Sequence, residues 1–124
     1  MTLEALQAAK ALSRGGCDVD LFDLRVVRPL RLDDIFESVN RTGRLLVVDT
    51  GWKTMGPGAE IVAQVTESCF DNLKQSPQRL GLPDHPTPSS RSLAAAFSGA
   101  GGAGGGDRSD ADWLRSAAYQ SRPP

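Results

Sequence analysis

The chain has 124 residues, 40% of them hydrophobic, and a net charge of −1. That length and apolar content suit one domain with its own core. No apolar run approaches the ~20 residues of a membrane-spanning helix; Leu45 to Val48 is far too short. Acids and bases are interspersed and aromatic residues are only 6% of the chain, so nothing supports nucleic-acid binding.

The first residues, Met1 to Leu6, lack the basic start and long apolar stretch of a signal peptide. Two well-separated cysteines, Cys17 and Cys69, and a single histidine, His85, are too few ligands for a zinc site. Cys69 falls on an apolar helix face and reads as a core thiol. Cys17 follows Gly15 and Gly16 and reads as a small residue entering a strand.

Residues 2–13 read as a helix. They are alanine-rich, Leu3, Leu6 and Leu12 form a stripe, and Gly15 and Gly16 end the run. Asp18 to Leu24 alternates, with Val19 and Leu21 on one face and Asp20 and Phe22 on the other, which predicts a strand. Pro29 stops it. Asp33 and Asp34 suit the first turn of a second helix, where negative charge meets the positive end of the dipole. Ile35, Phe36 and Val39 give that helix an apolar face, and Gly43 ends it.

Arg44 to Asp49 is the clearest strand, and its continuous apolar run predicts burial on both faces. Gly51 to Met55 reads as a loop. Gly56, Pro57 and Gly58 open the longest helix. In it Ile61, Val65, Cys69 and Leu73 recur every fourth residue, with Val62 and Phe70 beside them. Gln78 to Leu82 reads as a short strand, and Pro83 to Pro88 as a stiff extended segment.

Alternating helices and strands predict an α/β fold: a three-layer, open, mostly parallel sheet with helices on both faces. The order opens on a helix, so the sheet is expected to lack its first strand. Residues 98–106 hold six glycines in nine positions. That is linker composition, and 98–124 is expected to be a disordered tail to a domain at 1–97.

Several strings carry a resemblance. They are Asp23, Leu24 and Arg25 followed by Arg28, Pro29 and Leu30; Thr42 to Leu45 leading into the apolar strand; Gly51 and Trp52; Gly56, Gly58, Ala59, Glu60 and Ile61; and Pro86 to Pro88. In this order and spacing, residues 1–92 resemble the transketolase-like carboxy-terminal domain of 2-oxo acid dehydrogenase beta subunits, of pyruvate or branched-chain type. The matching domain of a transketolase or a deoxyxylulose-phosphate synthase is similar.

The resemblance implies thiamine diphosphate and magnesium in the intact enzyme, bound through a larger amino-terminal domain with no counterpart here. This chain is therefore expected to bind no cofactor and to be inactive by itself. The implied partners are an alpha subunit, a second beta subunit and a lipoyl acyltransferase core, in the cytoplasm or the mitochondrial matrix. A rival reading is a free-standing flavodoxin-like module, which needs a deep pocket at Gly51 to Gly58.

No residue is assigned a catalytic, cofactor-binding or metal-binding role. Gly56 and Gly58 form either an anion cradle at a helix start or a close-packed turn, and their spacing favours the turn. Asp23, Arg25 and Arg28 form either an anion or partner site or a structural ion pair. Trp52 is either an interface anchor or buried against the next helix. His85 is titratable near neutrality, but no nucleophile is placed near it. Arg25, Arg28, Trp52, Gly56, Gly58 and His85 are the candidates for shaping a subunit interface.

Overall fold

The computed structural model describes residues 2–82 together with Asp84 and Pro86. Its elements in chain order are α1 (Thr2–Arg14), α2 (Asp33–Thr42), β1 (Leu46–Trp52), α3 (Pro57–Cys69) and β2 (Gln78–Leu82), with a 3-10 turn at Phe70–Asn72 after α3. The alternation of helix and strand makes this an α/β fold. His85, most of the proline-rich segment and the Gly-rich tail lie outside the described residues.

β1 and β2 pair in parallel, with Leu46 opposite Gln78, Val47 opposite Arg79 and Val48 opposite Leu80. The register then shifts, and Trp52 faces Leu82. The core lies where α2 and α3 meet. Leu32, Ile35, Val39, Ile61, Val65 and Cys69 are its buried members, and Leu24, Leu30, Phe36, Leu45, Val47 and Leu73 pack around them. The four-residue spacing in α3 is thus a true core stripe: Ile61, Val65 and Cys69 are each at most 3% exposed.

Gly43 terminates α2 as its sequence predicts. It adopts the left-handed conformation (φ 75°) and donates its N–H to Val39 O. Its carbonyl accepts from Lys74 N at 2.9 Å, which ties the end of α2 to the chain entering β2. A Cβ at this position would lie 2.8 Å from Asn72 O, so both φ and space favour glycine.

Four expectations are corrected. Asp18 to Leu24 forms no strand. Alternation prepares a segment for a ladder, but a ladder needs a neighbour with free N–H and C=O groups, and no described residue supplies one. Asp20 instead accepts hydrogen bonds from Ser38 Oγ (2.5 Å) and Arg41 on α2. Second, α1 buries no residue: Leu3 is 75% and Leu6 40% exposed. An amphipathic helix packs only where a sheet face receives it, and the segment after α1 provides none.

Third, β1 is not covered on both faces. Leu45 and Val47 pack against the core and Leu46 and Val48 do not, but Leu45 to Val48 are all only half-buried. The expected helix layer on the face of Leu46 and Val48 is not found among the described elements. Finally, the strand runs on through Trp52, and α3 stops at Cys69. The tighter turn that follows throws Phe70 outward, to 70% exposure.

These contacts sort the apolar residues by consequence. Ile61→Ala is expected to cost about 2–5 kcal/mol in urea unfolding, and Leu3→Ala to stay within about 0.5 kcal/mol. Equal costs would mean that α1 belongs to the core. Gly43→Ala is expected to cost about 1–3 kcal/mol from its φ alone, with an added penalty from the Asn72 contact.

Candidate interaction surface

The candidate residues fall into two groups, at opposite kinds of sites. Arg25 and Arg28 lie in the extended chain between α1 and α2. Trp52, Gly56 and Gly58 lie where β1 passes into α3.

In the first group the backbone is held by leucines and the charges face water. Leu24 and Leu30 pack on the core and Leu32 is 3% exposed, while Arg25, Arg28 and Arg31 are exposed. Arg25 Nε lies 3.6 Å from Asp23 Oδ2, with the arginine side chain 86% exposed. An ion pair that open to solvent contributes little stability. Asp23, Leu24, Arg25, Val26, Pro29 and Arg31 line an open concavity of about 330 Å³. Arg31 was not singled out from the sequence; the signal for it is an arginine at every third position through 25, 28 and 31.

In the second group the glycines serve close packing. Gly58 is buried, and a Cβ there would meet Val47 Cγ1 at 3.2 Å. A Cβ on Gly56 would meet Trp52 O at 2.6 Å, which no backbone tolerates without shifting. Gly56 is the N-cap of α3 and its carbonyl accepts from Ala59 N at 2.9 Å. Asp49 Oδ1 accepts from Gly51 N at 2.9 Å, and Arg79 Nη1 donates to Lys53 O at 2.6 Å. These bonds hold the turn that presents Trp52, 53% exposed, and Met55, 95% exposed. Trp52 thus faces solvent and is not buried against α3.

The cavity in this turn measures about 10 Å³, room for about one water. A free-standing small-molecule module needs a pocket of a few hundred Å³ here, so the geometry does not suit that reading. Among the described residues no three His, Cys, Asp or Glu side chains converge as a metal site. No described helix is long and apolar enough to cross a membrane.

Both cysteines are buried and free. The Cys69 thiol donates to Phe36 O at 3.9 Å, and burial pushes its pKa up.

Comparison with known proteins decides the family. The family model for the carboxy-terminal domain of transketolase matches residues 1–100. The chain belongs to this family. Among curated proteins, the pyruvate dehydrogenase E1 component subunit beta of Porphyra purpurea is 41% identical over 90 residues, covering 73% of this chain and 27% of the relative. The mitochondrial pyruvate dehydrogenase E1 component subunit beta of Caenorhabditis elegans is 41% identical over 93 residues, 74% and 26% of the two chains. The acetoin:2,6-dichlorophenolindophenol oxidoreductase subunit beta of Cupriavidus necator is 38% identical over 93 residues, 75% and 28%. The chain spans about a quarter of the length of the curated relatives it matches. This transketolase carboxy-terminal domain is thus similar to those of 2-oxo acid dehydrogenase beta subunits, as its Asp23–Leu30 and Gly51–Ile61 strings imply.

The raised Cys69 pKa has a signed consequence. Its contribution to stability is complete below the unfolded thiol's pKa, about 8.5, and is lost as pH rises through the higher folded value. In a Cys17→Ser background, urea-unfolding stability is expected to fall as pH rises beyond that range. Cys69→Ala is expected to flatten this slope, and an unchanged slope would assign it to other groups.

Proposed function

We propose that this domain acts in assembly, as the carboxy-terminal part of a thiamine-diphosphate-dependent 2-oxo acid dehydrogenase beta subunit. One observation carries the reading: a chain about 40% identical to beta subunits leaves large apolar side chains uncovered. Leu3, Leu6, Val19, Leu21, Phe22, Val26 and Val27 are each at least 40% exposed. Five of them fall within residues 19–27; contiguous exposed apolar surface marks an interaction site, and unpaired strand-like backbone invites pairing.

In this reading the partners are the rest of a beta subunit, a second beta subunit and an alpha subunit, with a lipoyl acyltransferase core as the further docking partner. Arg25, Arg28 and Trp52 contribute contact surface, and Gly56 and Gly58 hold the turn that presents Trp52. His85 is kept as an interface candidate on sequence grounds alone. In the intact assembly, thiamine diphosphate with magnesium supplies the decarboxylation of a 2-oxo acid. The domain contributes position, not chemistry. The presence of both bacterial and mitochondrial proteins among the relatives supports a location in the cytoplasm or the mitochondrial matrix.

The test is co-expression of the tagged chain with the pyruvate dehydrogenase alpha subunit and the amino-terminal portion of the beta subunit from the same organism. Stoichiometric co-purification is expected, and it should weaken with Trp52→Ala. A chain that elutes alone contradicts the proposal. Titration of the isolated chain with thiamine diphosphate and magnesium in a calorimeter is expected to give no saturable heat. Saturable binding would overturn the division of labour.

A further inference from the structure

We propose that the concavity between α1 and α2 is a docking site for an acidic, partly apolar polypeptide segment, gripped by Arg25 and Arg31. The proposal rests on the assembly reading in taking this face to meet another polypeptide, and it goes further by naming that polypeptide's chemistry.

Charge is the first argument. The chain as a whole is nearly neutral, at −1, yet residues 23–32 carry three arginines against one aspartate. Asp33 and Asp34 follow, but they lie in the first turn of α2, where the helix dipole already stabilises them. Among the described residues Arg28 and Arg31 have no ion-pair or hydrogen-bond partner. Arg25 has only the solvent-exposed Asp23, a weak pair that a better-placed carboxylate displaces at little cost.

Preorganisation is the second argument. Leu24, Leu30 and Leu32 anchor the backbone into the core, so the arginine stems leave from fixed points. The planar guanidinium matches a carboxylate with two parallel N–H donors, and less entropy is lost when the backbone beneath is already ordered.

Shape is the third. Leu24, Val26 and Pro29 line the concavity together with Arg25 and Arg31, and its volume of about 330 Å³ is open to solvent. An enclosed small-molecule pocket buries most of its ligand, which an open trough does not. An open concavity lined by both apolar and cationic side chains suits an extended segment that alternates acidic and apolar side chains. A nucleic acid is disfavoured by the paucity of aromatic side chains and by Asp23 in the lining.

The experiment measures fluorescence anisotropy of a fluorescein-labelled peptide of alternating glutamate and leucine, titrated with the full chain at low salt. Saturable binding is expected. It should weaken with added salt and fall roughly tenfold or more in Arg25→Gln/Arg31→Gln, the loss expected for charge-assisted hydrogen bonds. The exposed control Lys10→Gln is expected to bind as the parent does, and circular dichroism melts establish that each variant is folded.

No saturable binding overturns the proposal. So does equal binding of a glutamine-for-glutamate peptide, equal binding by the double arginine variant, or preferential binding of a single-stranded oligonucleotide. If the chain enters the co-expressed assembly but ignores the acidic peptide, this inference alone fails. If it binds the peptide but enters no assembly, the assembly reading alone fails.

Discussion

The packing of α2 against α3 is the contact on which the rest of the structure depends. Ile35 and Val39 from one helix meet Ile61, Val65 and Cys69 from the other, and Leu32 closes the end. Everything else is hung from this pair. Val47 brings the sheet to it, Gly43 turns the chain out of α2 towards β1, and the hydrogen bond from Lys74 N to Gly43 O fixes where β2 begins. Even the irregular stretch before α2 takes its order from this core, through Leu24 and Leu30.

The core is one-sided. A parallel sheet ordinarily buries both faces under helices, because its strands are apolar throughout. Here β1 has the apolar sequence for that arrangement, but only the face bearing Val47 packs against the core, and Val47 itself is half-buried. Leu46 and Val48 stay half-buried, α1 stands away from the core, and the strand-like segment after it has no ladder. Three elements whose sequences call for a common neighbour therefore all lack it among the described residues. The proposed assembly role rests on this common lack more than on any single residue.

What was legible in the sequence is what local chemistry decides. Gly43 marks the end of α2 because a left-handed residue there needs no side chain. The four-residue spacing of Ile61, Val65 and Cys69 marks the buried face of α3, and Gln78 to Leu82 reads as a strand from its length and flanks. What was not legible depends on partners. Alternation at Asp18 to Leu24 cannot say whether a neighbouring strand is present, and an apolar run such as Leu45 to Val48 cannot say which of its faces is covered. Phe70 looked like part of the α3 stripe until the tighter turn rotated it outward. The candidate surface was legible in part: charge made Arg25 and Arg28 visible, and close glycines flagged the turn at Trp52. Arg31 entered only once the backbone brought it beside Arg25.

The central claim is that residues 2–22 hold apolar surface awaiting a partner, while α2, β1, α3 and β2 form the self-sufficient part. Hydrogen–deuterium exchange of the full chain, alone and within the co-expressed assembly, tests this directly. Amides of α2, β1, α3 and β2 are expected to exchange slowly in both states, as packed, hydrogen-bonded elements do. Amides of residues 2–22 are expected to exchange fast in the isolated chain and to gain protection on assembly. Protection of residues 2–22 equal to that of α2 and α3 in the isolated chain would contradict the account.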